Sequence, residues 1–287
     1  MSPPPTKSSE ARDDPPSPSD DGLVLRPLRT PEDFHACVDL QRATWGQHFS
    51  DLVPASLLKV SQKVGGLALG AFDPSGAMLG FLFGLSGVVA GRPAHWSHML
   101  AVMPAARDRG LGVRLKRRQR ELLLEEGVEV VRWTFDPLES RNAHLNLDRL
   151  GAGVESYVEE MYAGEEGSDL AEGIGTDRFI VRWDLASERA REGLADRLPS
   201  DPERYAEAPI VSPAETEDSS PETLPEAPLV RIEVPRSIQD LKAVDLDRAV
   251  AFRASTRRAF EHYLAACYRV DTLLREGERR FYGVERT

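Results

Sequence analysis

The sequence predicts a mixed α/β (α+β) fold, in which a central and mostly antiparallel sheet is flanked by helices and followed by a small C-terminal β-α-β-β unit. Short strand-like and helix-like hydrophobic periods, separated by turn signals, run through residues 22–199. A segment rich in Pro, Ser and acidic residues interrupts this pattern at 200–228. Strand and helix periods resume over 229–287, so we predict two ordered units joined by a linker.

Hydrophobic spacing and capping signals define the elements of the first unit. Thr30 offers a capping hydroxyl and Pro31 fits the first helical position, which predicts a helix up to Gly46. Gly65 and Gly66 end a second, shorter helix. The predicted strands are 23–28, 67–72, 78–88, 95–102, 128–135, 154–162 and 178–185, and the helices after the first are 54–64, 110–126 and 142–150.

The second unit begins with a strand at 229–234, continues as one long helix over 238–267 and closes with a hairpin around 276–277. An apolar stripe on the helix must be covered by other atoms of the protein. Its residues are Phe252, Phe260, Tyr263, Leu264 and Cys267. Its own hairpin, the first unit or a second subunit could cover it, and we predict that the helix docks on the first sheet or forms a homodimer contact.

The negative charge of the chain is concentrated in two segments. The formal net charge is −11, and residues 1–21 hold five acids against two basic residues while 200–228 hold eight against one. Twelve of the 21 prolines lie in these same segments. Neither segment can bury enough apolar surface to order itself, so we predict a disordered arm at 1–21 and a linker at 200–228. The remainder is nearly neutral, which argues against nucleic acid or a membrane surface as a partner.

Cysteine usage and targeting signals indicate the compartment. Cys37 and Cys267 lie in helix-like patterns without metal-ligand spacing, so we expect two buried free thiols and no metal site. The first residues lack the basic and then apolar run of a secretory signal. No run approaches the roughly twenty apolar residues of a membrane span. These features predict a soluble, cytoplasmic protein.

A loop between a strand and a helix carries the strongest chemical signal. Leu100, Ala101 and Val102 end the strand, and Gly110 and Gly112 lie where the helix starts. The loop and the helix start consist of Arg107, Asp108, Arg109, Gly110, Leu111 and Gly112. Backbone N–H groups that converge at a helix N-terminus attract phosphate, and glycine permits both the bend and a close approach of the ligand. An ordinary turn is the alternative, but the strand before and the helix after it favour a phosphate site.

The segment Val102-Met103-Pro104 followed by residues 107–112 resembles the conserved segment of the GNAT superfamily of N-acyltransferases, and the resemblance extends over residues 23–185. It implies acetyl-CoA or another acyl-CoA as donor, with its diphosphate held by the backbone amides of 107–112. It also implies that the strand from His98 to Val102 pairs with the pantetheine arm, and that backbone N–H groups near Leu100 to Val102 polarise the thioester carbonyl. The next strand would diverge to admit the thioester. The stretch at 133–138 resembles a bacterial branch for which succinyl-CoA and an amino acid are suggested substrates.

Three residues of the helix predicted at 142–150 matter for this comparison. By the resemblance, Asn142 and, one turn later, Asn146 face CoA, although a helix-capping role fits Asn142 equally well. Many family members have a tyrosine at the position of Leu147, where it protonates the leaving thiolate. Here either another group supplies that proton or the thiolate leaves unassisted.

A base is needed because an amine attacks only in its neutral form. Glu139 and Asp136 lie in a polar loop after the strand that lines the expected cleft, and Glu139 is the stronger candidate. A solvated turn paired with Arg141 is the alternative. His98 and His144 are further candidates, since histidine exchanges protons near neutral pH.

The position of His98 depends on its strand. Alternation predicts that His98, Trp96 and Leu100 share one face. There His98 relays a proton if that face borders the cleft, and otherwise it is a half-buried histidine without a catalytic role.

Other residues are candidates for binding the acceptor. Trp45 ends the first helix and either walls an acceptor pocket or packs in the core. Arg132 and Arg141 offer bidentate binding of a substrate carboxylate, or they are structural. We expect the basic residues of the helix at 110–126 to be mostly solvated and paired with acids one turn away. They are Arg114, Lys116, Arg117, Arg118 and Arg120.

The sequence therefore predicts an enzyme, an acyl-CoA-dependent N-acyltransferase acting on a small-molecule primary amine by direct attack, without a metal or a covalent enzyme intermediate. The alternative is a non-catalytic acyl-CoA-binding or protein-interaction module on the same scaffold. The missing tyrosine supports that alternative, and fold alone does not separate the two.

Overall fold

The computed structural model of the protein describes residues 21–162, 172–198, 201–213 and 224–287. The first unit contains seven strands and five helices among these residues, most of them close to the predicted positions. They are β1 (Val24–Pro27), α1 (Pro31–Trp45), α2 (Ala55–Lys63), β2 (Leu67–Phe72), β3 (Met78–Val89), β4 (Arg92–Val102), α3 (Leu111–Glu125), β5 (Val130–Phe135), α4 (Ser140–Ala143), β6 (Gly153–Val158), β7 (Arg178–Asp184) and α5 (Glu188–Leu194).

The seven strands form one sheet in the order β1-β2-β3-β4-β5-β7-β6. Every neighbouring pair is antiparallel except β4 and β5. Helices α1 and α2 cover one face over Phe81, Phe83 and Met99. Helix α3 covers the other face over Leu69 and Leu82. The prediction of a mostly antiparallel sheet flanked by helices is confirmed.

The capping signals at the start of α1 act as the sequence predicts. The Thr30 hydroxyl accepts a hydrogen bond from the Asp33 backbone N–H at 3.2 Å, and the Asp33 carboxylate accepts one from the Thr30 backbone N–H. The helix ends before Gly46, whose φ is 113°. Arg26 of β1 pairs with Asp33 at 2.6 Å and so ties the helix to the edge strand.

The helix predicted at 142–150 begins at Ser140, and its winding changes from α-helical to π-helical at His144. Its N-cap is Glu139, and the Asn142 backbone N–H donates to the Glu139 carbonyl at 2.9 Å inside the helix. The capping alternative for Asn142 is therefore wrong. From His144 to Arg149 the helix is π-helical, a form that occurs mainly as single turns and often at functional sites.

The C-terminal unit has its own four-stranded sheet. Its elements are β8 (Ile210–Val211), β9 (Leu229–Val234), α6 (Ile238–Val244), α7 (Leu246–Ala265), β10 (Tyr268–Glu276) and β11 (Arg279–Arg286). The strand order is β10-β11-β9-β8. Strand β8 and the buried Tyr205, which packs against Gly283 of β11, both belong to the segment predicted as a linker. The predicted arm, apart from Asp21, and residues 214–223 lie outside the described residues.

The long helix predicted for this unit is two helices. Asp245 interrupts it with a φ of −154°, and its carboxylate accepts a hydrogen bond from the Arg248 backbone N–H at 3.0 Å, which caps α7. Helix α7 ends two residues before Cys267, so this cysteine lies in a left-handed turn and is exposed. The prediction of buried thiols is correct for Cys37 and wrong for Cys267.

The two sheets share one hydrophobic core. The Phe260 ring of α7 lies 4.6 Å from the Phe179 ring of β7, and Tyr282 of β11 contacts both rings edge-on. The aromatic residues of the stripe, Phe252, Phe260 and Tyr263, are thus covered within the chain, which fits the docking alternative, while a homodimer stays a prediction. Over the described ranges, we find no helix that is both long and apolar enough to cross a bilayer.

Candidate active site

Strands β4 and β5 lie side by side only where they begin. Their ladder pairs are His95 with Val131 and Trp96 with Arg132. Strand β4 then continues for six residues and β5 for three, and these ends do not pair with each other. We call the space between them the strand cleft. Main-chain groups along its edges are placed to pair with an extended ligand, as a neighbouring strand would.

The loop after β4 enters α3 at the open end of the strand cleft. A 3₁₀ turn, Pro104–Ala106, is followed by two left-handed residues, Asp108 with φ of 62° and Gly110 with φ of 70°. The N-cap of α3 is Gly110, which has no side chain to cap the helix, so the N–H groups of its first turn are suited to an anion. A Cβ placed on Gly110 would meet nothing within 4 Å. The space in front of the helix start is therefore open.

Three elements converge beside this first turn. A Cβ on Gly112 would lie 3.7 Å from Leu145 of the π-helical segment and 3.9 Å from Leu100 of β4. Arg141 of α4 pairs with Asp108 of the loop at 2.9 Å, and not with Glu139. The loop, the end of β4 and α4 thus surround one volume. That arrangement fits a diphosphate whose attached arm enters the strand cleft.

The two loop arginines are exposed. Arg107 Nε donates to the Val102 carbonyl at 3.2 Å, which holds its side chain against the end of β4. Arg109 lines a cavity of about 420 Å³ next to Leu79 and Ala106. No residue of β5 lines this cavity, so it lies beside the loop and outside the strand cleft.

The two asparagines predicted to face CoA differ in their surroundings. Asn142 is exposed in α4. Asn146 is 3% exposed, and its Oδ1 accepts a hydrogen bond from the Trp133 indole N–H at 3.2 Å. A buried indole N–H requires such an acceptor. The side chain of Asn146 therefore belongs to the core instead of the predicted CoA face.

The two carboxylates after β5 have different partners. Asp136 is held bidentately by Arg253 of α7 at 3.0 and 2.7 Å, which makes it a structural link. Glu139 is half-buried and accepts hydrogen bonds from the Ser237 hydroxyl at 3.4 Å and the Gln239 backbone N–H at 3.3 Å. Burial raises the pKa of Glu139 to about 7, and the charge of Asp136 acts in the same direction. Glu139 is thus suited to exchange a proton near neutral pH.

His98 occupies a β-bulge in β4. Phe83 of β3 pairs with Met99, whereas the next residue, Gly84, pairs with Ser97, so His98 is the extra residue. A bulge of this kind re-aims a side chain relative to regular alternation. A single sequence gives no signal for it.

The bulge changes which side chains share a face. The β3 partners of Trp96 and Leu100 are three residues apart, so these two side chains point to opposite faces. The prediction that they share a face with His98 is therefore wrong. The His98 ring packs edge-on against Phe83 with centroids 6.1 Å apart. Although His98 is exposed, desolvation by the surrounding protein lowers its pKa, and the charge of Asp51 opposes this.

The candidate acceptor residues are already engaged within the protein. Trp45 packs on Phe49 and Phe81 with ring centroids 5.8 and 6.2 Å away, at the edge of the core under α1. Arg132 is bound by both carboxylate oxygens of Glu155 at 2.6 and 2.9 Å. A substrate carboxylate would have to displace Glu155. His144, the remaining base candidate, pairs with an aspartate one turn away in its own helix.

A buried lysine at the closed end of the strand cleft departs from expectation. Lys116 of α3 is 2% exposed, and its Nζ donates to the Ser97 hydroxyl at 2.9 Å and lies 3.7 Å from the Trp133 ring centroid. The prediction that Lys116 is solvated is wrong. Lys116 follows Val113 by three residues and precedes Leu123 by seven, and both are buried, so this helical spacing could have predicted that Lys116 lies on the buried face.

The other basic residues of α3 bind acids or carbonyl groups, namely Arg114 with Asp21, Arg117 with Leu194, Arg118 with Glu121 and Arg120 with Leu185.

Comparison with known proteins gives matches among solved structures. No protein-family model and no curated protein sequence matches the chain. The acetyltransferase of the GNAT family from Streptococcus pneumoniae is 17% identical with a TM-score of 0.43, over 56% of this chain and 98% of that one. The ribosomal-protein-S18-alanine N-acetyltransferase from Escherichia coli is 18% identical with a TM-score of 0.43, over 58% and 97%. YncA of Salmonella typhimurium, solved with acetyl-CoA, is 16% identical with a TM-score of 0.45, over 58% and 95%.

The geometry of the first unit identifies its fold. One sheet holds seven strands, of which only β4 and β5 are parallel neighbours in the described part. Those two strands diverge beside the loop that leads into α3, and that loop is the segment whose sequence resembles the GNAT motif. The first unit therefore has the mostly antiparallel sheet and the diverging strand pair that its resemblance to the GNAT superfamily of N-acyltransferases predicts.

Proposed function

We propose that this chain is an acyl-CoA-dependent N-acyltransferase that passes an acetyl or succinyl group to the primary amine of a small molecule, such as an amino acid. The observation that carries the proposal is the divergence of β4 and β5 in front of a left-handed glycine loop at the start of α3. An extended thioester arm can pair with the free edge of β4 while its diphosphate binds the N–H groups after Gly110. Acyl-CoA has both parts, joined in this order.

In this proposal the amine attacks the thioester carbonyl directly. Backbone N–H groups of Leu100 to Val102 stabilise the oxyanion that forms. Glu139 accepts the amine proton, which its half-buried position and raised pKa support. His98 relays protons on the face of α1 and α2. A C–N bond forms, the C–S bond breaks and CoA leaves as its thiol.

The remaining candidates divide between donor and acceptor. The loop arginines are assigned to the donor side because they lie in the loop that leads into α3, and Asn142 because it follows Arg141 in α4. Arg141 joins that side as well, since it pairs with Asp108 of the loop. Trp45 and Arg132 are assigned to the acceptor side, where Arg132 needs release from Glu155 before it binds a carboxylate.

A non-catalytic acyl-CoA-binding module is the second candidate function. The observation that favours it is Leu147, which is fully buried at the position where many family members have the tyrosine that protonates the thiolate. Such a module binds acyl-CoA in the same cleft but does not transfer the acyl group. Turnover therefore separates the two candidates.

Two measurements on the full chain test the proposal. Calorimetry with CoA, acetyl-CoA and succinyl-CoA measures donor binding, and release of free thiol with a panel of amino acids and other primary amines measures turnover. We expect binding of at least one acyl-CoA and amine-dependent thiol release. Binding without release for any pair supports the module. A folded chain that gives no heat with any of the three donors refutes both.

A further inference from the structure

The surroundings of Lys116 are unusual for a core position. Its Nζ has one hydrogen bond, to the Ser97 hydroxyl, and lies over the face of Trp133. Across the described ranges, no carboxylate lies within salt-bridge distance of it. Burying a charged amine without a counter-ion is costly, and a methionine of similar length would fill the space without that cost. Packing therefore does not explain the lysine.

The position of Lys116 relates it to the strand cleft. Ser97 is the first residue of β4 beyond its last ladder pair with β5, and Trp133 is the first such residue of β5. Lys116 contacts both, so it lies where the strand cleft closes. A donor whose diphosphate binds at the loop runs back along β4 towards this end, so a thioester held at Leu100 directs its sulfur towards Ser97.

The leaving sulfur needs a proton that the usual side chain does not supply. Leu147 stands where many family members have a tyrosine, and it offers no donor. His95 lies on the same strand as Ser97, but burial lowers the pKa of His95 to about 3, with the charge of Lys116 adding to the effect. His95 is therefore neutral and a poor acid, which leaves the ammonium of Lys116.

We infer that Ser97 and Lys116 deliver the proton to the sulfur of the departing CoA. As the C–S bond of the tetrahedral intermediate breaks, sulfur takes the Ser97 hydroxyl proton, and Ser97 takes a proton from Lys116. Lys116 is left neutral and recovers a proton from water after CoA has left the cleft. The amine proton goes separately to the base, so charge and protons balance. This inference rests on the proposed acyltransferase function.

The electrostatics of the site give Lys116 the required acidity. Burial holds the pKa of Lys116 well below its ordinary value, which makes its ammonium a stronger acid. The groups that act on it are the Ser97 hydroxyl, the Trp133 ring and the neutral His95, while Gln119 lies one turn further along α3. None of these groups carries a negative charge that would raise the pKa of Lys116 again. The rate should therefore fall on the alkaline side as Lys116 loses its proton.

The test compares Lys116→Met with Gln119→Leu, a control that also removes a fully buried polar group from α3. We expect Lys116→Met to lower kcat by roughly 100-fold and to abolish the alkaline fall in rate. Its affinity for acyl-CoA should stay within about 2-fold, and its Tm should rise by about 2–8 °C because an unpaired buried charge is gone. Gln119→Leu should keep both kcat and the pH profile.

Variants of Ser97 give a second test that does not alter the lysine. Ser97→Ala should lower kcat to a similar extent, and Ser97→Thr, which keeps the hydroxyl, should retain most of it. Wild-type kcat and an unchanged pH profile in both Lys116→Met and Ser97→Ala would overturn the inference while leaving the proposed function standing. Failure of the wild type to bind or turn over any acyl-CoA would instead remove the proposed function, and this inference with it.

Discussion

Asp136 and Arg253 form a bidentate ion pair that joins the loop after β5 to α7, with side chains that are 14% and 5% exposed. Arg253 also donates from Nε to the Ile174 carbonyl at 2.9 Å. This loop carries Glu139, the candidate base, three residues after Asp136. The position of this candidate base therefore depends on the C-terminal unit.

We predict that Arg253→Met destabilises the protein by about 3–5 kcal/mol, because it leaves Asp136 buried without its main partner. Arg178, at 3.5 Å from Asp136, compensates in part and favours the lower end of that range. Urea unfolding measures the change. Adding Asp136→Asn to Arg253→Met should recover part of the loss. A single-variant change below about 1 kcal/mol would show that the pair contributes no more than an exposed one.

Gly110 and Gly127 provide a matched pair for testing the diphosphate site. They stand at opposite ends of α3, have φ of 70° and 75°, and a Cβ on either would meet nothing within 4 Å. Tryptophan at either position carries the same left-handed strain of about 1–2 kcal/mol. We predict that Gly110→Trp weakens CoA binding by more than about 100-fold, or about 2.7 kcal/mol, because the ring fills the site. Gly127→Trp should bind CoA like the wild type in the same calorimetry.

The two glycine variants also separate damage to the fold from loss of the site. Loss of binding in both, together with an altered circular dichroism spectrum, would indicate damage to α3. Retained binding in both would show that the diphosphate does not bind at Gly110, which would remove the basis of the proposed function.

Glu139 should make the kcat/KM of the reaction fall at acid pH. Its pKa of about 7 means that the carboxylate is protonated below that pH and cannot accept the amine proton. We predict that kcat/KM rises with pH through about 7 and levels off above it. Glu139→Gln should lose activity by roughly 100-fold or more, and its kcat/KM should no longer rise with pH in this range. An unchanged profile in Glu139→Gln would assign the base to another group, with His98 the next to test.

Local signals predicted the larger part of the fold correctly. The cap at Thr30, the strand periods and the loop from Arg107 to Gly112 each depend on residues close in sequence, and all three appear at the predicted positions. The resemblance of the loop to a known family then indicated the strand cleft. The spacing of hydrophobic residues within one strand or helix does not reveal such a cleft.

The rest depends on contacts that only the folded chain creates. The bulge at His98 reverses side-chain alternation without a sequence signal. Lys116 resembles its solvated basic neighbours in sequence and differs only by facing the sheet. Asp136 and Arg253 are far apart in the chain, so their pair depends on how the two units dock. Tyr205 lies in a Pro-rich, acidic stretch whose composition concealed its burial.

The two cysteines should react differently with thiol reagents. Cys267 is exposed, whereas Cys37 is buried and burial raises the pKa of its thiol to about 12. We predict that the native protein is labelled at Cys267 alone, and that Cys37 reacts after denaturation. Mass spectrometry of labelled peptides measures this. Labelling of Cys37 in the native protein would show that the core under α1 opens under those conditions.

The raised pKa of Glu139 also predicts how stability varies with pH. The folded state binds the proton more tightly than the unfolded state, whose pKa is near the ordinary 4.5. The stabilisation from the protonated side chain is therefore complete below about pH 4.5 and is lost as pH rises through about 7. Glu139→Gln keeps a neutral side chain at every pH, so it should match the wild type at pH 4 and exceed its unfolding free energy by about 1–3 kcal/mol at pH 8.

Urea unfolding of the wild type and of Glu139→Gln at pH 4, 6 and 8 measures this difference. Equal stability of the two proteins at all three values would mean that Glu139 is ionised with an ordinary pKa. Such a carboxylate is too weak a base for an ammonium group at neutral pH, because proton transfer is most effective when the pKa of the base lies near the working pH. The same measurement therefore tests both the stability argument and the role of Glu139 as the base.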